Sequence, residues 1–462
     1  MPTPLTNSRR GLLIAAAASF MLTACANAPA PAGPLPPIVF VHGNGDSAAL
    51  WLTTLWRFES NGWPRERLHA VDVPYPQSRD DDTKPQPGRS GTAENAGYLS
   101  AEIDRVLRNT GAARVVLVAN SRGGLTVRNY IANFGGAAKV SHAVLGGTPN
   151  HGVYADPVNR LGSEFNGAGP FITALNAPKG PAGAEASPGV TWLTIRSDNN
   201  DKYAQPDGVW IGAKGTPTNV SFDGPALRGA ENIVIAGIDH RETAFGPQAF
   251  AAMHRFITGR EPAAAGVVAE ARVVLDGMVS GYGEGNLQGA APSNVGLAGA
   301  VVEVYATQAD TGERTGAALH RKTIAADGRW GPLAVASTAT LEFVLSAPGY
   351  GTTHIYRSPH RRGSNLVHLR AERVADADKA AAAVVSLTRP RGYFGVPRDR
   401  IAFDGQSPPP GVPTGVAGVS SSKIRLPDAA PRSVAAEFNG ERVVGRTWPM
   451  ANGEVTTLEL TF

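Results

Sequence analysis

Arg114-Val115-Val116-Leu117-Val118-Ala119-Asn120-Ser121-Arg122-Gly123-Gly124 decides how the rest of this chain is read. An apolar, β-branched run stops at a serine flanked by small residues, and a helix-compatible segment follows. That is the sequence form of a strand–turn–helix that lifts a serine hydroxyl out of a sheet edge. The turn is sharp, so residues two before and two after the serine must be small, or they collide across it. Ala119 and Gly123 meet that demand, with alanine where glycine is the commoner choice.

Working outward, up to about Pro262 short apolar runs alternate with helical patterns. Pro37-Ile38-Val39-Phe40-Val41-His42-Gly43 suits a strand buried on both faces, and the next helix begins near Ser47. A strand is expected at Leu68–Val73, followed by an acidic loop at Asp80, Asp81 and Asp82. Thr92 is read as the cap of a helix with Leu99, Ile103, Val106 and Leu107 at helical spacing, ended by Gly111. Further strands are expected at Val140–Leu145, Val190–Ile195 and Asn232–Ala236, with a closing helix at Phe250–Ile257. Strands interleaved with helices imply an α/β fold, a parallel sheet between helix layers.

In such sheets the chemistry sits at the carboxyl ends of the strands. Val41 leads to His42-Gly43-Asn44-Gly45, and Val118 to Ser121. Ile195 leads to Ser197-Asp198-Asn199-Asn200-Asp201-Lys202-Tyr203-Ala204-Gln205-Pro206, and Ile235-Ala236-Gly237 to Ile238-Asp239-His240. The chain order is serine, acid, histidine. These features, with Gly147-Thr148-Pro149-Asn150-His151-Gly152 and the segment Gly167–Asn176, resemble the α/β-hydrolase superfamily, in particular its bacterial and archaeal lipases. The resemblance covers most of residues 36–260 and implies an α/β-hydrolase sheet flanked by helices.

The roles then follow from chemistry. Ser121 is the expected nucleophile, because a serine hydroxyl attacks only when a base takes its proton. His240 is that base, and later the acid for the leaving alcohol. Asp201 resembles the family acid that precedes a proline by five residues. Asp198 is the second choice, Asp207 is also open, and Asp239 is expected to point away from His240. The oxyanion donors implied by the resemblance are the backbone N–H groups of Asn44 and Arg122. His151 with Asp156 is poor evidence for a metal, and Asp80–Asp82 lacks a calcium-loop pattern. No metal or cofactor is called for. Residues 153–189 form a long excursion that reads as a lid over an acyl-binding cleft, or as a packed surface segment.

The first 25 residues read as an export signal. Arg9 and Arg10 precede the apolar run Gly11–Met21, which is too short to span a bilayer. Leu22-Thr23-Ala24-Cys25 resembles a bacterial lipobox, with Cys25 acylated and anchored in the cell envelope; the alternative is an ordinary signal peptide cleaved at Ala24 or Ala26 and a secreted protein. Ser8-Arg9-Arg10-Gly11-Leu12-Leu13 also resembles a twin-arginine signal. Residues 26–37 then form a Pro/Ala-rich tether. Cys25 is the single cysteine, which excludes an internal disulfide and a cysteine nucleophile. The formal charge of +4 drops further when Arg9 and Arg10 leave, too slight a balance to argue for nucleic acid. The oligomeric state is not readable.

Beyond the hydrolase segment (residues 38–262), short alternating strands and Gly/Pro turns predominate. Residues 267–373 resemble a carboxypeptidase-regulatory or transthyretin-like sandwich, and a second β unit is expected over 375–462. Arg357, His360, Arg361 and Arg362 read as a solvated basic turn, with contact to anionic lipid as the alternative. By analogy with lipases that carry a C-terminal β domain, deletion after Pro262 is expected to weaken action on emulsified lipid more than on a soluble ester. The leading reading is an exported serine esterase or lipase acting on lipid or other carboxylic esters. Alternatives are a polyester depolymerase or thioesterase with the same residues, or a catalytically inactive surface-binding lipoprotein.

Overall fold

Six strands form the first sheet: β1 (Ile38–Val41), β2 (Leu68–Val71), β3 (Val115–Asn120), β4 (Val140–Gly146), β5 (Thr191–Ser197) and β6 (Glu231–Ile235). In this computed structural model, which describes residues 35–198, 200–205, 221, 223–282 and 291–462, they lie in the order β2-β1-β3-β4-β5-β6. Every pairing is parallel. Every residue of β1 and β3 is buried, because helices cover both faces of a parallel sheet. The helices are α1 (Leu52–Ser60), α2 (Thr92–Thr110), α3 (Arg122–Asn133), α4 (Pro170–Leu175), α5 (Glu242–Phe245) and α6 (Pro247–Thr258).

Helix α2 starts differently from the sequence reading. Its cap is Gly91, whose N–H donates to the Glu94 carboxylate (2.8 Å). Thr92 is already helical and is held by Asp82, which accepts from its N–H and its hydroxyl (2.8 and 2.6 Å). Part of the acidic loop is therefore a helix anchor. Gly111 ends α2 as expected, at φ 65°, with its N–H on the Leu107 carbonyl. An L side chain adopts that conformation only at a cost.

From Pro36 to Phe462 the chain is one compact unit. The C-terminal half is built on a seven-stranded sheet with the strand order 320–323, 301–306, 341–346, 352–357, 454–459, 383–388, 421–426. The strand Glu454–Glu459 pairs in parallel with both Thr352–Arg357 and Ala383–Thr388. The expected division near residue 375 is thus not a break between sheets, because the last strand closes the gap between the two segments. One face of this sheet carries a dry core that includes Tyr356, Val385, Leu387, Phe394 and Leu458. Near the end of the first β segment only the two residues Leu369–Arg370 form a strand.

Candidate active site

Ser121 stands between the last residue of β3 and the first of α3, at φ 54° and ψ −123°. Only a few per cent of non-glycine residues take positive φ, and such strain persists where the surroundings impose it. The Ser121 N–H donates to the Gly146 carbonyl (2.8 Å), and its own carbonyl accepts from Gly124 (3.0 Å). A Cβ on Gly123 would lie 2.6 Å from the carbonyl oxygens of both Val41 and His42. The neighbouring strand thus explains why a small residue is required there.

His240 follows β6 and is 5% exposed. Its Nδ1 donates to Asp201 Oδ2 at 2.7 Å, and Asp201 is equally buried. The other Asp201 oxygen accepts from the Tyr203 N–H (2.8 Å), so the acid also caps the short turn Lys202–Ala204. Tyr203 sets its ring edge-on to His240 at 4.7 Å. Asp198 does not reach the histidine. It accepts from the Asn200 and Gly237 N–H groups (3.1 and 3.0 Å) and so braces the turn before His240. Asp207 and Cys25 lie outside the described residues.

Ser121, His240, Asp201 and Asn44 line one cavity of about 250 Å³. The Asn44 side chain accepts from the Ser78 N–H (2.7 Å), fixing the loop after β1. His42 accepts from the Val73 N–H through Nε2 (3.1 Å) and uses Nδ1 on the Gly43 carbonyl (2.9 Å). Burial holds its pKa below 6.5, against the pull of the Gly43 carbonyl, so the ring stays neutral as a structural brace. Arg122 is the first residue of α3, a position whose N–H has no intrahelical acceptor. Its side chain is buried in a bidentate pair with Glu164 and donates to the Pro76 and Ser90 carbonyls (2.9 and 2.6 Å).

Residues 36–170 match the family model described as alpha/beta hydrolase fold, and residues 271–374 match that of the lipase C-terminal domain. The chain is an α/β-hydrolase of lipase type with a C-terminal β domain. Over 271–374 the matching family is thus the lipase C-terminal domain, where the sequence suggested a carboxypeptidase-regulatory sandwich. Similar solved structures include a Bacillus licheniformis lipase in its mature form (19% identity, 50% of this chain and 94% of that chain, TM-score 0.36). The propeptide form of that lipase matches at 16% identity over 90% of this chain and 93% of that chain, TM-score 0.37. A monoacylglycerol lipase from Paleococcus ferrophilus matches at 13% identity over 49% and 96%, TM-score 0.32.

In this hydrolase the C-terminal half reaches the histidine loop, which the sequence did not announce. Asp239, next to His240, is fully buried. It accepts from Arg389 (2.7 Å) and the Tyr393 N–H (2.8 Å) rather than facing the imidazole. Glu242 accepts from Arg389 and Arg398 (2.6 and 2.9 Å). Arg241 pairs with Asp46 (3.1 Å), donates to the Pro390 carbonyl (2.9 Å) and lies over the Tyr393 ring. Asp201 itself forms an isolated bridge with Ala417. Tyr393 lines the cavity that holds Ser121 and His240.

The excursion 153–189 of this hydrolase supplies Val153, Tyr154, Arg160 and Phe165 to the cavity wall. It is fastened to α3 by the buried Glu164–Arg122 pair. His151 meets Glu185 (3.1 Å), while Asp156 caps its own turn through the Val158 and Asn159 N–H groups. Among the described residues no group of three or more His, Cys, Asp or Glu is placed to hold a metal ion, and no helix is long and apolar enough to cross a membrane.

Proposed function

We propose that this protein hydrolyses carboxylic esters through an acyl-enzyme on Ser121. The observation that carries the reading is the buried 2.7 Å contact between His240 Nδ1 and Asp201, in the same cavity as a serine held at positive φ. With Nδ1–H engaged by the carboxylate, Nε2 is the free base that accepts the Ser121 hydroxyl proton. The serine oxygen bonds to the ester carbonyl carbon, and the N–H groups of Asn44 and Arg122 receive the negative oxygen. The C–O bond to the alcohol then breaks as His240 returns the proton to it. Water, deprotonated by the same histidine, cleaves the acyl-enzyme and restores the serine.

The substrate class follows from size and lining. A cavity of about 250 Å³ lies at the small end of ligand sites. Gln77, Asp80 and Arg89 line it beside Val153, Tyr154 and Phe165. The segment that could open it is tied to α3 by the buried Arg122–Glu164 pair, which favours residues 153–189 as a fixed wall. The reading is an esterase for short acyl groups, exported and held at the cell envelope through Cys25. A series of p-nitrophenyl esters tests the substrate class. The expected kcat/KM peaks at butyrate or hexanoate and falls by about tenfold or more at palmitate, about 1.4 kcal/mol or more of transition-state binding. A maximum at palmitate, or equal action on emulsified long-chain triglyceride, overturns it.

A further inference from the structure

The basic stretch Arg357–Arg362 is solvated only in part: Arg361 is exposed, but the first half of the stretch is enclosed. Arg357 and His360 are 7% and 3% exposed, and both line a second cavity of about 500 Å³. Its floor is the face of the seven-stranded sheet opposite the dry core. Side chains alternate between faces, and the register sets Arg357 beside Glu459 and Ile355 beside Thr457, which has Ser386 on its other side. Thr353, Thr388 and Lys423 belong to the same lining, and the hydrolase side contributes Asp46, Leu50 and Arg241. Buried sheet faces are ordinarily apolar, as the opposite face is here. This cavity is lined with hydroxyls, with the cations Arg241, Arg357, Arg370, Arg373, Arg391 and Lys423, and with fewer carboxylates, Asp46, Glu372, Asp378 and Glu459.

The charges on this surface are unevenly matched. Arg357 pairs with Glu459 (2.8 Å) and Lys423 with Asp378 (2.6 Å). Arg391, 5% exposed, donates only to the Leu460 and Thr461 carbonyls among the described residues. Arg370 donates to the Asn294 side-chain oxygen (3.3 Å). Neither has a carboxylate within ion-pair distance among the described residues. The Nε groups of Arg357 and Arg370 and the Nδ1 of His360 are buried with no hydrogen-bond partner there. Burying a cation without a counter-charge is costly unless the site receives one. Burial first, and then the nearby Arg357 and Arg391, push the His360 pKa down to about 3, so the ring is neutral and adds no charge to the cavity.

We infer that this cavity binds a small hydroxylated anion carrying a phosphate monoester. Guanidinium forks match phosphate oxygens bidentately, the threonine and serine hydroxyls match those of a polyol, and the volume lies within the range of small-molecule sites. The Arg241–Asp46 pair lines both this cavity and the one holding Ser121.

Calorimetric titration of the full chain with glycerol 1-phosphate, with glycerol, and with phosphatidylglycerol vesicles tests this assignment. Saturable binding of glycerol 1-phosphate, none of glycerol, and no change in the Ser121→Ala variant are expected. Arg370→Gln and Arg391→Gln each weaken binding by about tenfold or more, which corresponds to the loss of one charged hydrogen bond. Because Arg391 also holds two backbone carbonyls, Thr457→Leu provides an independent variant that blocks the floor without removing a charge, and it also loses binding. The His360 ring resonances shift on saturation. Absence of saturable binding, binding unaffected in both Arg370→Gln and Thr457→Leu, or binding of vesicles alone overturns the inference.

Discussion

Arg389→Met removes the guanidinium that ties the C-terminal half to the loop carrying His240. In the native protein this side chain, 3% exposed, donates to Asp239, Glu242 and the Tyr393 carbonyl at 2.7, 2.6 and 2.8 Å. The variant leaves Asp239 fully buried. Its remaining donors are the N–H groups of Arg241, Glu242 and Tyr393, with Arg398 at 3.6 Å. Removing one partner of a buried pair costs about 3–5 kcal/mol, and the surviving donors place this case near the lower bound, about 3 kcal/mol. That is a large fraction of the ~5–15 kcal/mol that holds a typical domain together. Equilibrium urea unfolding measures the loss, and steady-state hydrolysis of a soluble ester measures its consequence. We expect kcat to fall while KM changes little, because the base and not the substrate wall is displaced. The double variant Arg389→Met/Asp239→Asn no longer buries an unpaired charge and should recover about 1 kcal/mol or more. A single-variant loss below about 0.5 kcal/mol, the range of an ordinary surface change, with full turnover would refute the clamp.

The same contacts revise the effect of deleting everything after Pro262. Turnover of a soluble short ester should be lost together with action on emulsified lipid, since Tyr393, the Arg389 clamp and the Ala417 bridge to Asp201 go at once; selective loss on lipid would restore the adsorption role. Asp201→Asn should reduce kcat far more than Asp198→Asn, by about 10⁴-fold as the wrong histidine tautomer is favoured; the reverse ranking would contradict the 2.7 Å contact. Gly123→Val should destabilise by at least about 1–3 kcal/mol through overpacking against the Val41 and His42 carbonyls, measured by thermal unfolding, whereas Ala119→Gly should cost no more than about 1 kcal/mol. Lys202 has its pKa pushed from 10.5 down to about 8, by burial first and then by Arg241. The unfolded chain therefore binds more protons than the native one between those values, so this residue makes stability rise with pH from about 8 to 10.5. Lys202→Met should flatten that rise in urea titrations at successive pH values; an unchanged slope would contradict the assignment.

The hydrolase sheet was legible because its central strands β1 and β3, buried on both faces, leave apolar runs, and strands β1 to β6 fall within a few residues of the expected segments. The places of Ser121 and His240 at strand ends were legible for the same reason, since Ser121 follows β3 directly and His240 closely follows β6. The choice among aspartates was harder, because Asp198 and Asp201 both follow β5 closely. What separates them is the turn at Lys202–Ala204, which points Asp201 at His240 while Asp198 takes the Gly237 N–H. The boundary near 375 misled because the pairing of Glu454–Glu459 with Thr352–Arg357 spans about a hundred residues and leaves no local mark. Arg357 and His360 read as solvated from their neighbours in sequence, yet the sheet and the hydrolase loops enclose them. Arg389 and Tyr393 carried no local signal, since their partners at Asp239 lie some 150 residues away.

Covalent labelling with a fluorophosphonate, mapped by mass spectrometry on the wild type and on Ser121→Ala, bears most directly on the ester-hydrolase reading. The account predicts a single adduct on the peptide containing Ser121, loss of ester turnover in proportion to labelling, and neither adduct nor turnover in the variant. An adduct or turnover that persists in Ser121→Ala, or a wild type that neither labels nor hydrolyses any ester, would contradict it.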